Sequence, residues 1–185
     1  MADQLNRCDW CLSAEDYIDY HDQEWGVPVY DDQKQFEFLV LESAQAGLSW
    51  LTILRKRHGY QEAFANFNPE VVANYSDAEI ETLIQNPAII RNKLKIKATE
   101  TKARSYLEIQ QEFGTFTEYI WSFVGGNPII NKWKTIGEVP ATTAESDTLS
   151  KDLKKRGFKF VGSTIVYAHM QATGMVNDHL TSCFR

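Results

Sequence analysis

Cysteine is scarce in this sequence, three residues among 185, and no apolar run approaches the roughly 20 residues that span a bilayer. The start, Met1-Ala2-Asp3-Gln4, has neither the basic nor the apolar region of a signal peptide. An odd thiol count in that context points to reduced thiols or metal ligands, not disulfides. The expected location is cytoplasmic, with no membrane contact. Basic charge is short as well: the net charge is −6 at pH 7, which alone argues mildly against nucleic acid. Internal repeats and low-complexity tracts are missing, and nothing marks an obligate protein partner. Strand-like alternation is also scarce, so the fold expected is all-α, in a single domain over residues 1–185.

What is present is more specific. The hydrophobic fraction of 43% can bury a core, and aromatic residues reach 12%, with five Trp. Most of these rings are accounted for by core packing. The basic residues are clustered. Arg91, Lys93, Lys95, Lys97, Lys102 and Arg104 meet only Glu100 as an acid, and Lys151, Lys154, Lys155, Arg156 and Lys159 meet only Asp152. A solvated helix face explains such runs as readily as a phosphate-binding surface does.

Apolar positions follow the helical period. Phe36, Leu39, Val40, Ser43 and Ala46 share one face of a helix that Asp31 or Asp32 can cap. Asn68-Pro69 reads as an N-cap followed by proline in the first turn. Ser76 to Glu79 and Thr115 to Glu118 match capping boxes, and Gly114, Gly157 and Gly174 sit where helices can stop. Gly47-Leu48-Ser49 breaks a long helix and leaves Leu48 near the tip of a tight turn. A second break, Asn86 to Asn92, precedes a basic helix from Lys93. A helix, short turn and helix of this kind can offer backbone N–H groups to a phosphate. Gly125 to Thr143 reads as a surface loop within the domain.

Cys8-Asp9-Trp10-Cys11 near one end and His179 with Cys183 near the other suit a tetrahedral Zn²⁺. With His21 the candidates number five, and spacing alone does not choose among them.

Several strings then line up in order. They are Arg7-Cys8-Asp9-Trp10, Tyr17 to Asp22, Glu24-Trp25-Gly26-Val27-Pro28, and Leu41 through Glu42 and Gly47-Leu48-Ser49 to Trp50. Ile89-Ile90-Arg91, Trp121 to Val124, Ser150 to Gly162 and Val176-Asn177-Asp178-His179 follow. Across nearly its whole length the chain resembles the type I 3-methyladenine DNA glycosylases, the constitutive bacterial family. The resemblance implies a helix-hairpin-helix glycosylase fold, with one structural Zn²⁺ per chain tying the N- and C-terminal segments. Its ligands are then Cys8, His21, His179 and Cys183, and Cys11 becomes a spare thiol. The implied partner is double-stranded DNA containing alkylated bases.

The same resemblance assigns roles. Trp50 lies against a flipped base, where a cationic purine over an indole gains cation–π attraction. Tyr20, Tyr17, Trp10 and Trp25 surround it. Gly47 and Leu48 plug the gap left in the duplex, with Leu48 as an apolar wedge. Arg91, Lys93 and Lys95, on a glycine-poor hairpin, neighbour phosphates. Glu42 is the expected catalytic carboxylate, because an unpaired acid in an apolar helix is costly unless it is used. No lysine is placed as a Schiff-base nucleophile, so the expected reaction is hydrolysis without strand cleavage. A zinc-tied DNA-binding module and a hydrolase with catalytic zinc are the rival readings.

Overall fold

Capping side chains set where most of the helices begin, the first, Glu15–Gln23, and the last, Ser163–Ala172, excepted. The computed structural model describes residues 5–185, so the tetrapeptide read for a leader lies outside the described residues. After α1 (Glu15–Gln23), Asp31 accepts the N–H of Lys34 at 2.8 Å and opens α2 (Asp32–Gln45). Ser49 opens α3 (Trp50–Ala63), and Asn68 opens the short α4 (Pro69–Val72). Ser76 and Glu79 form a reciprocal capping box on α5 (Asp77–Gln85), and Asn92 caps α6 (Lys93–Phe113). On α7 (Phe116–Ser122) the expected box is only half made. Thr115 accepts the N–H of Glu118, whereas the N–H groups of Phe116 and Thr117 go to the carboxylate of Asp32, each at 2.8 Å. A carboxylate from α2 thus serves the orphan donors of a distant helix. α8 (Ala144–Lys155) and α9 (Ser163–Ala172) complete the helices, and Gly114, Gly157 and Gly174 follow α6, α8 and α9 closely.

The single apolar face expected for α2 understates its burial. Phe38, Leu41, Glu42 and Ala44 are buried along with Phe36, Leu39, Val40 and Ser43. Helices α3, α6, α7 and α9 all pack on α2, so its C-terminal half is a core helix enclosed on all sides. A polar group there meets water only where a cavity reaches it.

Two departures from the sequence reading matter for the site. The fold is mostly helical, but Ile129–Ile130 (β1) pairs in parallel with Val176–Asn177 (β2), with Ile129 opposite Val176. Two-residue strands are too short to show alternation. The pairing pins the 125–143 stretch to the segment leading into His179, so that stretch is more than a surface connection. The second departure is Lys102, counted above with a basic surface. It is 1% exposed, and its ammonium donates to Leu39 O at 3.2 Å and Ser43 Oγ at 2.5 Å.

Burial pushes the Lys102 pKa down to about 7. The folded state therefore binds fewer protons than the unfolded chain between about pH 7 and the ordinary lysine range. The resulting penalty is complete below pH 7 and fades as pH rises toward 10.5. Lys102→Met is expected to raise the melting temperature at pH 6, with a gain of up to a few kcal/mol that shrinks by pH 10. Thermal melts across that range check it; a variant less stable than wild type at pH 6 would contradict the sign.

The turn between α5 and α6 is seated against α3. A Cβ on Gly59 would meet Ala88 O at 2.4 Å, so only glycine permits this approach. Lys56 Nζ donates to Pro87 O at 2.9 Å, and Ile90 N donates to Tyr60 OH at 3.2 Å. Among the described residues no helix is long and apolar enough to cross a membrane.

Candidate active site and metal centre

A cavity of about 210 Å³ opens where α1, α2 and α3 meet α9 and the 125–143 stretch. That is smaller than the roughly 300–1,000 Å³ typical of drug-sized ligand pockets, and it suits a single flat heterocycle. Trp10, Tyr17, Tyr20, Trp25 and Trp50 line it together with Glu42. The rings brace one another: Trp10 lies 4.9 Å from Tyr17 and 5.0 Å from Trp25, edge to face, and Tyr20 lies 5.5 Å from Trp50. Phe38 stacks behind Trp50 at 6.5 Å. Backed on one side and open on the other, the Trp50 indole can take a second flat ring. Its buried Nε1 has no hydrogen-bond partner among the described residues.

Glu42 is 3% exposed, and its carboxyl makes no hydrogen bond among the described residues. Burial raises its pKa to about 8. An acid kept this way is poised for a cation: an incoming positive ring supplies the partner that the protein withholds. The phenol of Tyr20 is pushed well up by its own burial and, secondarily, by Glu42. It therefore remains a neutral hydrogen-bond donor.

Below this pocket, Cys8, His21, His179 and Cys183 bring one ligand atom each to within 4.8 Å of one another. Cys183 Sγ lies 3.5 Å from His21 Nε2 and 3.6 Å from His179 Nδ1, and Cys8 Sγ lies 4.0 Å from His179 Nδ1. Tetrahedral bonds of about 2.0–2.3 Å place ligand atoms roughly 3.3–3.8 Å apart, so this donor set can close on a metal ion with little movement. The other ring nitrogens are already engaged, as ligand histidines require. His21 Nδ1 bonds Asp22 Oδ1 at 2.8 Å, and His179 Nε2 donates to Trp25 O at 3.0 Å. Through that second bond the cluster holds a pocket-lining residue. Cys11 is no part of the cluster; its buried thiol donates to Cys8 O at 3.1 Å.

A family model described as methyladenine glycosylase matches residues 10–185. The chain belongs to this family. It is 48% identical over 179 residues to DNA-3-methyladenine glycosylase 1 of Escherichia coli K12, covering 97% of this chain and 96% of that protein. A crystal structure of a 3-methyladenine DNA glycosylase I superposes with a TM-score of 0.94 at 49% identity, covering 97% and 98% of the two chains. The Staphylococcus aureus enzyme, solved for its recognition of 3-methyladenine, gives 0.94 at 39% identity, covering 97% and 96%.

Within this family fold, the six pocket residues and four metal-site residues expected from the sequence gather into two adjoining clusters. Gly47 and Leu48 lie in the turn between α2 and α3. Gly47 has φ +81° with open space around its Cβ position, and Leu48 is 40% exposed. The basic trio separates. Arg91 is exposed, Lys93 pairs with Glu81 at 2.9 Å, and Lys95 turns inward to the carbonyls of Ala44 and Ala46.

Sequence reasoning missed the outer wall: Ile136, Val139, Gln171 and Asp178. Asp178 is a second carboxylate of the pocket, but it is saturated. It accepts from Asn131, Trp133, Tyr167 and Gln171, about as many bonds as a carboxylate can take. It holds the 125–143 stretch over the cavity and leaves Glu42 as the free acid. The Val176 to His179 string gave a signal for Asp178; nothing local marked Ile136 or Val139.

Proposed function

We propose that this chain flips 3-methyladenine out of alkylated double-stranded DNA and hydrolyses its N-glycosidic bond. An abasic site remains and the strand stays intact. The carrying observation is Glu42, a buried acid without a partner in a base-sized aromatic pocket. Methylation at N3 makes the purine a cation, so the bond electrons that pass to the ring on cleavage leave a neutral base. The leaving group needs no added proton. Water adds to the sugar C1′ as the bond to the purine breaks, and the proton of the water passes to Glu42 or to solvent. Glu42 favours the cationic base, Trp50 stacks on it, and Tyr20, Tyr17, Trp10 and Trp25 enclose it, which offsets the few kcal/mol of unstacking. Normal adenine is neutral and gains none of the charge attraction.

Several features support the finer reading. Among the described residues no lysine lines the pocket; Lys102, its pKa lowered by burial to about 7, is spent on Leu39 and Ser43, which favours hydrolysis over a Schiff base. Residues 1–185 act as one domain, with α5, its turn and α6 as the hairpin and Arg91 and Lys93 at the phosphates. Gly47 and Leu48 fill the vacated stack. The metal is a structural Zn²⁺, one per chain, on Cys8, His21, His179 and Cys183; four protein donors leave no position open for substrate. A reducing cytoplasm suits three cysteines outside any disulfide, two of them on the metal.

The test is incubation with methylated duplex DNA, chromatography of the released bases, and gel analysis with and without alkali. The expected products are free 3-methyladenine and strands that break only after alkali. Absence of 3-methyladenine release would end the reading, and breaks before alkali would end its hydrolytic part.

A further inference from the structure

Lys95 is the member of the basic run that the structure places unexpectedly. It stands in the first turn of α6, directly after the 86–92 turn, where a phosphate ligand is expected. Its ammonium instead donates to Ala44 O at 2.9 Å and Ala46 O at 2.5 Å. These carbonyls belong to the C-terminal end of α2, where backbone acceptors have no intrahelical partner and a cation is favoured. Among the described residues, the hydrogen bonds that reach 44–48 from another element are these two.

The turn they reach has little else to hold it. Gly47 stands in open space at positive φ, and Leu48 is exposed, with its N–H on Gln45 O. Glu42 lies one helical turn before Ala46, so the end of α2 carries both the pocket acid and the protruding leucine. The α5–α6 turn is itself seated on α3 through Gly59, Lys56 and Tyr60. Lys95 therefore closes a frame between two DNA-facing turns.

We propose that Lys95 is a positioning residue: it fixes the Gly47–Leu48 turn relative to the 86–92 hairpin, and is not itself a phosphate ligand. This rests on the reading of Leu48 as the wedge. With the frame intact, the wedge enters the duplex in register with phosphates bound at the hairpin. Without it, the turn wanders, and base extrusion slows while the pocket keeps its shape.

The experiment compares Lys95→Met, Lys95→Arg and Leu48→Ala with wild type. The readouts are single-turnover release of 3-methyladenine from duplex and from single-stranded DNA, binding of free 3-methyladenine, and the salt dependence of duplex binding. Lys95→Met is expected to slow duplex excision at least about tenfold, since misplacement of about 1 Å can cost up to about a hundredfold. Excision from single strands, where no stack needs filling, and free-base binding should stay at wild-type levels. Lys95→Arg should recover part of the duplex rate. The salt slope should be unchanged, because a lost phosphate contact would reduce it by about 0.9. A reduced slope, an equal loss on both substrates, lost free-base binding or an unimpaired duplex rate would each overturn the proposal. Leu48→Ala separates the two levels. If it leaves duplex excision intact, the wedge reading fails first. If it slows excision and Lys95→Met does not, the tether alone fails.

Discussion

Glu42→Gln is expected to slow single-turnover release of 3-methyladenine by about a hundredfold, with folding and metal content unchanged. Assistance from one acid or base is typically worth about 10²–10⁴-fold, and a cationic leaving group needs the lower end. The pH profile carries the sharper signature. With its pKa raised to about 8 by burial, Glu42 is mostly protonated in the free protein at pH 7. If the carboxylate is the active form, kcat/KM should rise through pH 8 and level off, while the Gln variant should be slow and flat. A wild-type profile that falls above pH 8 would instead make the protonated acid the working form. Stability should move the other way. A raised carboxyl pKa means that the folded state is penalised as pH climbs from the ordinary value of 4.5, fully so above about 8. The Gln variant should therefore melt higher than wild type at pH 8 to 9. Wild-type rates in both Glu42→Gln and Glu42→Ala would remove this residue from the chemistry.

Loss of metal is the second change with a large expected effect. Elemental analysis of purified protein should find one zinc per chain, and chelation or Cys183→Ser should lower melting temperature and excision together. An ion bound only by the folded form stabilises it by about 4 kcal/mol when free metal exceeds the dissociation constant a thousandfold. In a small domain that is a large part of the total. Burial holds the Cys8 thiol up at about 11, so without a cation this cluster keeps buried protons that binding would expel. Cys11→Ser should keep its zinc. A protein whose melting ignores chelators would refute the structural role. So would a Cys11→Ser variant that loses zinc while Cys8→Ser retains it.

What could be read from the sequence was local or carried by motif. Asp31, Asn68, Ser76 and Gly47-Leu48-Ser49 marked helix ends because their chemistry acts over three or four residues. Cys8, His21, His179 and Cys183 needed the family resemblance, since spacing left Cys11 equally eligible. Only the fold turns the Cys11 thiol onto Cys8 O. Tertiary burial defeated the charge reading: Lys95 and Lys102 look like their solvated neighbours in the sequence, yet each donates to α2. Ile136 and Val139 were invisible because a two-residue parallel ladder and the hydrogen bonds of Asn131 and Trp133 to Asp178 bring their loop to the pocket.

The seam between the early and late parts of the chain sets a timetable for biosynthesis. Trp10, Tyr17 and Trp25 are translated well before the elements that enclose them. Those elements, α9, Asp178 and His179, follow about 150 residues further along the chain. Throughout that interval the indoles and the thiols of Cys8 and Cys11 have no finished surface to join, and nascent chains in this condition are prone to misassembly and oxidation. Slow translation or oxidative stress should therefore damage newly made molecules far more than mature ones, in which Cys8 and Cys11 are buried.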